Sequence, residues 1–265
     1  MSWREELGVV GATAVGGGDT HDAYRATLGD GRVVFVKAHD AAPPDLFAAE
    51  ADGLAWLGDA IRVPRVIAAG ASWLALEWLE LAGRPDDAAF GRALARLHAR
   101  GAPGFGYARA NYLATLPQDN TPAPDAIAFY VERRLRPLAR RAGLPLDAAL
   151  DRLRARPDRF GPPEPPARLH GDLWWGNVAA LAGTRDPVVF DPAVYGGPRE
   201  LDLAMLALFG ELPDALVAAY AELAPLAPGF RDRLALWQLS PLLAHACLFG
   251  GGYGSRAAAI LRALT

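Results

Sequence analysis

The chain has 265 residues, 52% of them hydrophobic, which allows one large domain or two lobes around a substantial core. A net charge of −3, with no basic run interleaved with aromatic residues, argues against a nucleic-acid groove. No uncharged apolar stretch reaches the roughly 18 residues of a spanning helix, and the opening Met1 Ser2 Trp3 Arg4 Glu5 Glu6 lacks an apolar signal region, so a cytoplasmic protein without membrane partners is expected.

In chain order, β-branched and aromatic runs predict strands over Val9 to Val15, His21 to Leu28, Val33 to Val36, Val66 to Ala71 and Trp73 to Trp78. A single helix is expected from about Pro44 to Gly58, so residues 1–80 read as a small strand-rich lobe. Beyond Gly83 Arg84 Pro85 the pattern turns helical. Phe90, Leu94 and Leu97 recur at helix spacing, as do Ile127, Tyr130, Val131 and Leu135, so residues 81–265 form a larger, mostly helical lobe. One irregular interruption is expected, from Pro157 to Pro166, because its prolines cannot sustain helix. Cys247 is the sole cysteine, which excludes an intrachain disulfide, and its apolar run marks a buried thiol. Oligomeric state leaves no signal.

Lys37 is the only lysine among 27 basic residues. An ammonium is a compact point charge and a guanidinium a wide planar fork, so a lone lysine in an arginine-rich chain suggests a tight phosphate site. It ends the strand Val33 to Val36, which follows the turn Gly29 Asp30 Gly31, an earlier strand, and the glycine run Gly16 Gly17 Gly18. Glycine-rich turn, strand, hairpin and strand ending in lysine is the phosphate-handling half of a kinase-type ATP site. The three glycines would let backbone amides approach the phosphates. Glu50, thirteen positions on, would pair with Lys37, and backbone groups near Glu77 and Leu79, in the hinge before Gly83, would read adenine.

Downstream, His170 Gly171 Asp172 Leu173 Trp174 Trp175 Gly176 Asn177 places four residues between Asp172 and Asn177, the spacing of the H-R-D-x-x-x-x-N catalytic loop. Asp172 would accept or orient the attacking hydroxyl, while Asn177 and Asp191, the latter after a hairpin of Val178 to Ala180 and Val188 to Phe190, would hold Mg2+. Such oxygen donors suit magnesium far better than zinc. Trp174 offers an indole wall for the apolar face of a sugar, whereas Trp175 reads as packing. His170 is expected to support the loop, His98 to be a satisfied core histidine and Asp202 to brace the loop backbone.

The run from His170 to Asn177, with Phe190 Asp191 Pro192 Ala193 and Arg199 Glu200 Leu201 Asp202 Leu203 Ala204 Met205, resembles the fructosamine kinases, or ketosamine 3-kinases. The likeness extends upstream to Ala23 Tyr24, Phe35 Val36 Lys37, Phe47, Glu50, Gly53 Leu54, Asn111 Tyr112, Pro117 Gln118 and Asn120, nearly the whole chain. It implies an α+β, bilobal, protein-kinase-like fold related to aminoglycoside phosphotransferases. The implied reaction is ATP-dependent phosphorylation of the 3-hydroxyl of a ketoamine, a fructosamine or ribulosamine, free or on a glycated protein lysine, leading to deglycation. The family's usual tryptophan after Asn120 is replaced here by Thr121 Pro122 Ala123 Pro124, and the loop Gly16 Gly17 Gly18 Asp19 lacks the cysteine through which some members are redox-controlled. Two rivals stand beside this reading. An aminoglycoside or other small-molecule kinase should show an acidic C-terminal pocket, yet Asp232 is the only acidic residue after Glu222. A catalytically silent kinase-like binding module should have lost Lys37, Asp172, Asn177 or Asp191, and all four are present.

Overall fold

The computed structural model describes residues 2–16 and 21–265; Gly17 and Gly18 of the glycine run lie outside the described residues. A short helix not expected from the sequence, Trp3–Glu6 (α1), opens the fold, closed by a capping box between Ser2 and Glu5. Strands Val9–Ala14 (β1), Asp22–Leu28 (β2) and Val33–Ala38 (β3) precede helix Leu46–Leu57 (α2), and Val66–Ala69 (β4) and Trp73–Glu77 (β5) follow it. The strands form one antiparallel sheet in the order β1-β2-β3-β5-β4. Strand β4 stops short of the expected Ala71 because the Gly70 amide turns to donate to Trp73 O at 2.9 Å, closing the hairpin.

The rest is mostly helical: Asp87–Ala99 (α3), then, beyond a hairpin of Asn111–Leu113 (β6) and Leu116–Gln118 (β7), Ala126–Phe129 (α4), Arg136–Arg141 (α5) and Asp147–Arg154 (α6). A π-helical turn, Tyr130–Leu135, joins α4 to α5. Pro137 has no N–H to give the preceding turn, and Arg134 supplies a substitute donor to Arg133 O at 3.1 Å. After the proline-rich stretch come Ala167–Leu169 (β8), Val178–Ala180 (β9), Pro187–Val189 (β10) and Tyr195–Gly197 (β11). Glu200–Leu206 (α7), Asp214–Leu223 (α8), Phe230–Trp237 (α9), Leu239–Phe249 (α10) and Tyr253–Leu264 (α11) complete the chain.

The helical part is interrupted more often than expected. Besides the proline stretch, itself partly a 3-10 turn at Pro157–Phe160, and the expected hairpin of β9 with β10, two further two-stranded ladders occur among the described residues, β6 with β7 and β8 with β11. Three-residue strands are too short to carry a readable alternation.

Among the described residues, three apolar clusters hold the molecule. One, under the sheet, joins Trp3, Ala26, Val34, Val36 and Trp73. A second fills the helical part around Phe129, Tyr130, Leu153, Trp237 and Leu242. The third runs from Phe47, Leu54, Leu74 and Leu76 through Phe90, Leu94 and Leu173 to Leu203 and Leu216, so α2 is buried against both parts. Helices α3 and α8 meet at Gly91, where a Cβ would lie 2.3 Å from Leu216 O. Among the described residues no helix is long and apolar enough to cross a membrane.

Candidate active site

Sheet and helices enclose a cleft of about 1040 Å3, and Gly16, Lys37, Glu50, Glu77, Leu79, Asp172, Trp174, Asn177 and Asp191, all singled out in the sequence, line it. Strand β3 carries Lys37 to its inner end, where the alternation of the strand turns the side chain inward; Nζ donates to Glu50 Oε1 at 2.7 Å. Helix α2 presents Glu50 from one side. The same ammonium donates to Asp191 Oδ1, an ion pair across 154 residues that no local pattern announces. Burial disfavours the ammonium, but Asp191 and then Glu50 outweigh it and hold the Lys37 pKa above its ordinary range.

The catalytic-loop segment is fixed from beneath by Asp202. Its Oδ2 accepts the His170 amide at 2.8 Å and its Oδ1 the Gly171 amide at 3.0 Å, as expected of a brace. Burial pushes the Asp202 carboxyl up, yet the His98 hydrogen bond and the loop amides hold it below the usual range. His98 is a satisfied core histidine: its ring nitrogens meet Asp202 Oδ2 at 3.1 Å and the Tyr220 hydroxyl at 2.8 Å. His170 Nδ1 accepts the Asp172 amide at 3.3 Å, which leaves Nε2–H to donate to Phe190 O at 3.0 Å. One imidazole therefore ties the loop to the segment bearing Asp191.

Gly171 explains why the arginine of H-R-D loops has no place here. It sits at φ 84°, and a Cβ would lie 2.1 Å from Ala193 O, so only glycine lets the two segments come this close. Ala193 N donates to His170 O at 2.9 Å across the same contact. Asp191 itself adopts a left-handed φ of 60°, aiming its carboxylate at Lys37. Asn177 Nδ2 donates to Asp172 O at 2.9 Å and to Asp172 Oδ2 at 3.3 Å, while its Oδ1 accepts nothing among the described residues. Burial, and then the Asp191 charge, push the Asp172 pKa from 3.8 to about 7.

The hinge differs in one detail from expectation. The Glu77 amide is committed to Arg65 O at 2.9 Å, and its carboxylate to Arg62 at 2.6 Å and to the Arg65 amide at 2.7 Å. Neither group is available to a base, which leaves the Glu77 carbonyl and the Leu79 amide; the latter donates to nothing among the described residues. Trp174 is 40% exposed, with its indole laid over Gly176, where a Cβ would come within 2.1 Å of the ring. Trp175, by contrast, is packing: Nε1 donates to Glu211 O at 3.0 Å and Arg84 lies 3.3 Å above its ring. Asn111, Gln118 and Asn120 are buried and hydrogen-bonded to one another, and Asn111 Nδ2 donates to Val194 O at 2.8 Å. They anchor the β6–β7 hairpin beside the Asp191 segment. Cys247 is half-buried and donates to Leu138 O, and burial raises its thiol pKa.

Sequence reasoning missed the far end of the cleft. Phe209 after α7, His245 and Phe249 four residues apart on α10, and Tyr253 of α11 line it, and no local pattern joins the three segments.

Residues 3–265 match the model of the family described as fructosamine kinase. A curated "probable ketoamine kinase" of Synechocystis is 40% identical over 263 residues, covering 94% of this chain and 88% of that one. A solved structure from Thermobifida fusca, called a "putative fructosamine-3-kinase", is 43% identical with a TM-score of 0.86, covering 98% of this chain and 96% of that one. A macrolide 2'-phosphotransferase from Brachybacterium faecium is 18% identical with a TM-score of 0.64 over 97% and 95% of the two chains, which is a likeness of fold alone.

Proposed function

The chain belongs to the fructosamine kinase family, and from that premise we propose that it transfers the γ-phosphoryl group of ATP to the 3-hydroxyl of a ketoamine. The observation that carries this reading is the convergence of Lys37, Asp172, Asn177, Asp191 and Trp174 on one cleft. Residues 1–80 act as the lobe that grips the nucleotide, and residues 81–265 bring the catalytic loop and the sugar site.

Lys37, aimed by Glu50, neutralises the α- and β-phosphates, and the backbone around Gly16 contacts them as well. Gly16 supports this role because it lines the cleft and, among the described residues, nothing lies within 4 Å of where its Cβ would be. The Glu77 carbonyl and the Leu79 amide take the adenine edge. Asp172 binds the 3-hydroxyl and takes its proton as the oxygen attacks phosphorus; in a loose transition state this is chiefly orientation. Trp174 holds the apolar face of the sugar.

The donor set fits magnesium. Asn177 Oδ1 is free of donors among the described residues, and the Asp191 side chain is 42% exposed on the same cleft. No group of three or more His, Cys, Asp or Glu that could cage a metal occurs among the described residues, so nucleotide phosphates would supply the remaining ligands. When bound by Asn177 and Asp191, Mg2+ supplies charge neutralisation at the transferring phosphate.

The test is ATP consumption with a ribulosamine, a fructosamine and an aminoglycoside offered in parallel, with Asp172→Asn as control. Turnover with a ketoamine, abolished in the variant, is expected. Turnover with the aminoglycoside alone, or an unimpaired variant, would sink the assignment.

A further inference from the structure

The cleft does not end at the catalytic loop. Past Asp172 and Trp174 it continues between α7 and α10, walled by Met205, Phe209, His245, Leu248, Phe249 and Tyr253. Pro241, Ala244, His245 and Leu248 recur at helical spacing, so one whole face of α10 is turned to the cleft. The rings are contiguous: His245 stands 4.7 Å from Phe209, 5.4 Å from Phe249 and 5.2 Å from Tyr253, centroid to centroid. Phe209 and Phe249 are nevertheless 41% and 55% exposed. Large rings left to water on a cleft wall, next to a reaction site, gain by covering with an apolar ligand group.

Charge points the same way. Among the described residues lining the cleft, the acidic ones are Glu50, Glu77, Asp172, Asp191 and Asp202, all at the phosphate, hinge and loop end. None of the described residues lining the aromatic end offers a carboxylate to a polycation. His245 Nδ1 donates to Pro241 O at 2.8 Å, so its Nε2 carries the lone pair, and burial lowers its pKa and keeps the ring neutral.

We propose that this aromatic end is the subsite for the amine-derived part of the substrate, and that it selects free ketoamines whose nitrogen carries an aromatic or bulky apolar substituent. The proposal rests on the ketoamine kinase reading. With the 3-hydroxyl at Asp172 and the phosphates on the Lys37 side, this end is the part of the cleft that the nucleotide leaves open, and the substituent on C1 of the ketose would occupy it.

Ketoamines of one sugar with glycine, butylamine and benzylamine, together with a peptide glycated on lysine, test it through kcat/KM. The benzylamine adduct is expected to exceed the glycine adduct by about tenfold or more, with the peptide lowest. Equal values across the series, or the peptide highest, overturn the subsite while leaving ketoamine phosphorylation standing; no turnover of any adduct sinks both. Phe209→Ala and Phe249→Ala, at exposed positions, should bring the benzylamine-to-glycine ratio towards one through KM. A proportional loss on every adduct would overturn the selectivity.

Discussion

At the scale of single residues, the site depends on charges held close together under partial burial. Lys37 is 8% exposed between two carboxylates, a slot shaped for an ammonium. Lys37→Arg is therefore expected to lower kcat/KM by about a hundredfold or more, with the far-ultraviolet circular dichroism unchanged; an active arginine variant contradicts the phosphate role. Asp172→Asn should remove turnover and keep nucleotide binding, read by calorimetry with ADP. The raised Asp172 pKa has two consequences of opposite sign. Activity should rise with pH through about 7 as the carboxyl ionises. Stability should move the other way, because between 3.8 and about 7 the folded chain holds a proton that the unfolded chain has lost. Asp172→Asn, which cannot ionise, should thus gain in Tm relative to the parent as pH climbs across that window, and a constant Tm difference would show that Asp172 is not perturbed.

At the scale of elements, glycines set how near the pieces approach. Gly91 lets α3 and α8 touch backbone to backbone, with the would-be Cβ 2.3 Å from Leu216 O. Gly91→Ala should cost about 1–3 kcal/mol and lower Tm by several degrees without altering KM. Gly171→Ala meets Ala193 O and a positive φ together, so it should lower kcat as well as Tm. An unchanged kcat there would mean that the contact between the loop and the Asp191 segment does not position Asp172. The elements themselves were largely legible. The strands, α2 and the β9–β10 hairpin fall within a few residues of where alternation and turn signals put them. Helix α1 was missed because four residues carry no period, and the π-helical turn because its cause, Pro137, acts through a carbonyl in the preceding turn.

At the scale of the whole molecule, the apolar cluster around α2 joins the sheet to the helical part, so a ligand gripped by both should stabilise the entire chain. ADP with Mg2+ is expected to raise Tm more than ADP with a chelator, and Asp191→Asn should erase the difference. If magnesium adds nothing to the parent protein, Asn177 and Asp191 are not its ligands. The spacing from Asp172 to Asn177, the lone Lys37 and the helix bearing Glu50 were determined by the sequence, because each is a local pattern of one strand, one loop or one helix face. Only the tertiary structure decided the rest. It paired Lys37 with Asp191 and gathered Phe209, His245, Phe249 and Tyr253 into one wall. Those contacts join residues far apart in the chain, and their energy depends on burial and distance, which no local periodicity records.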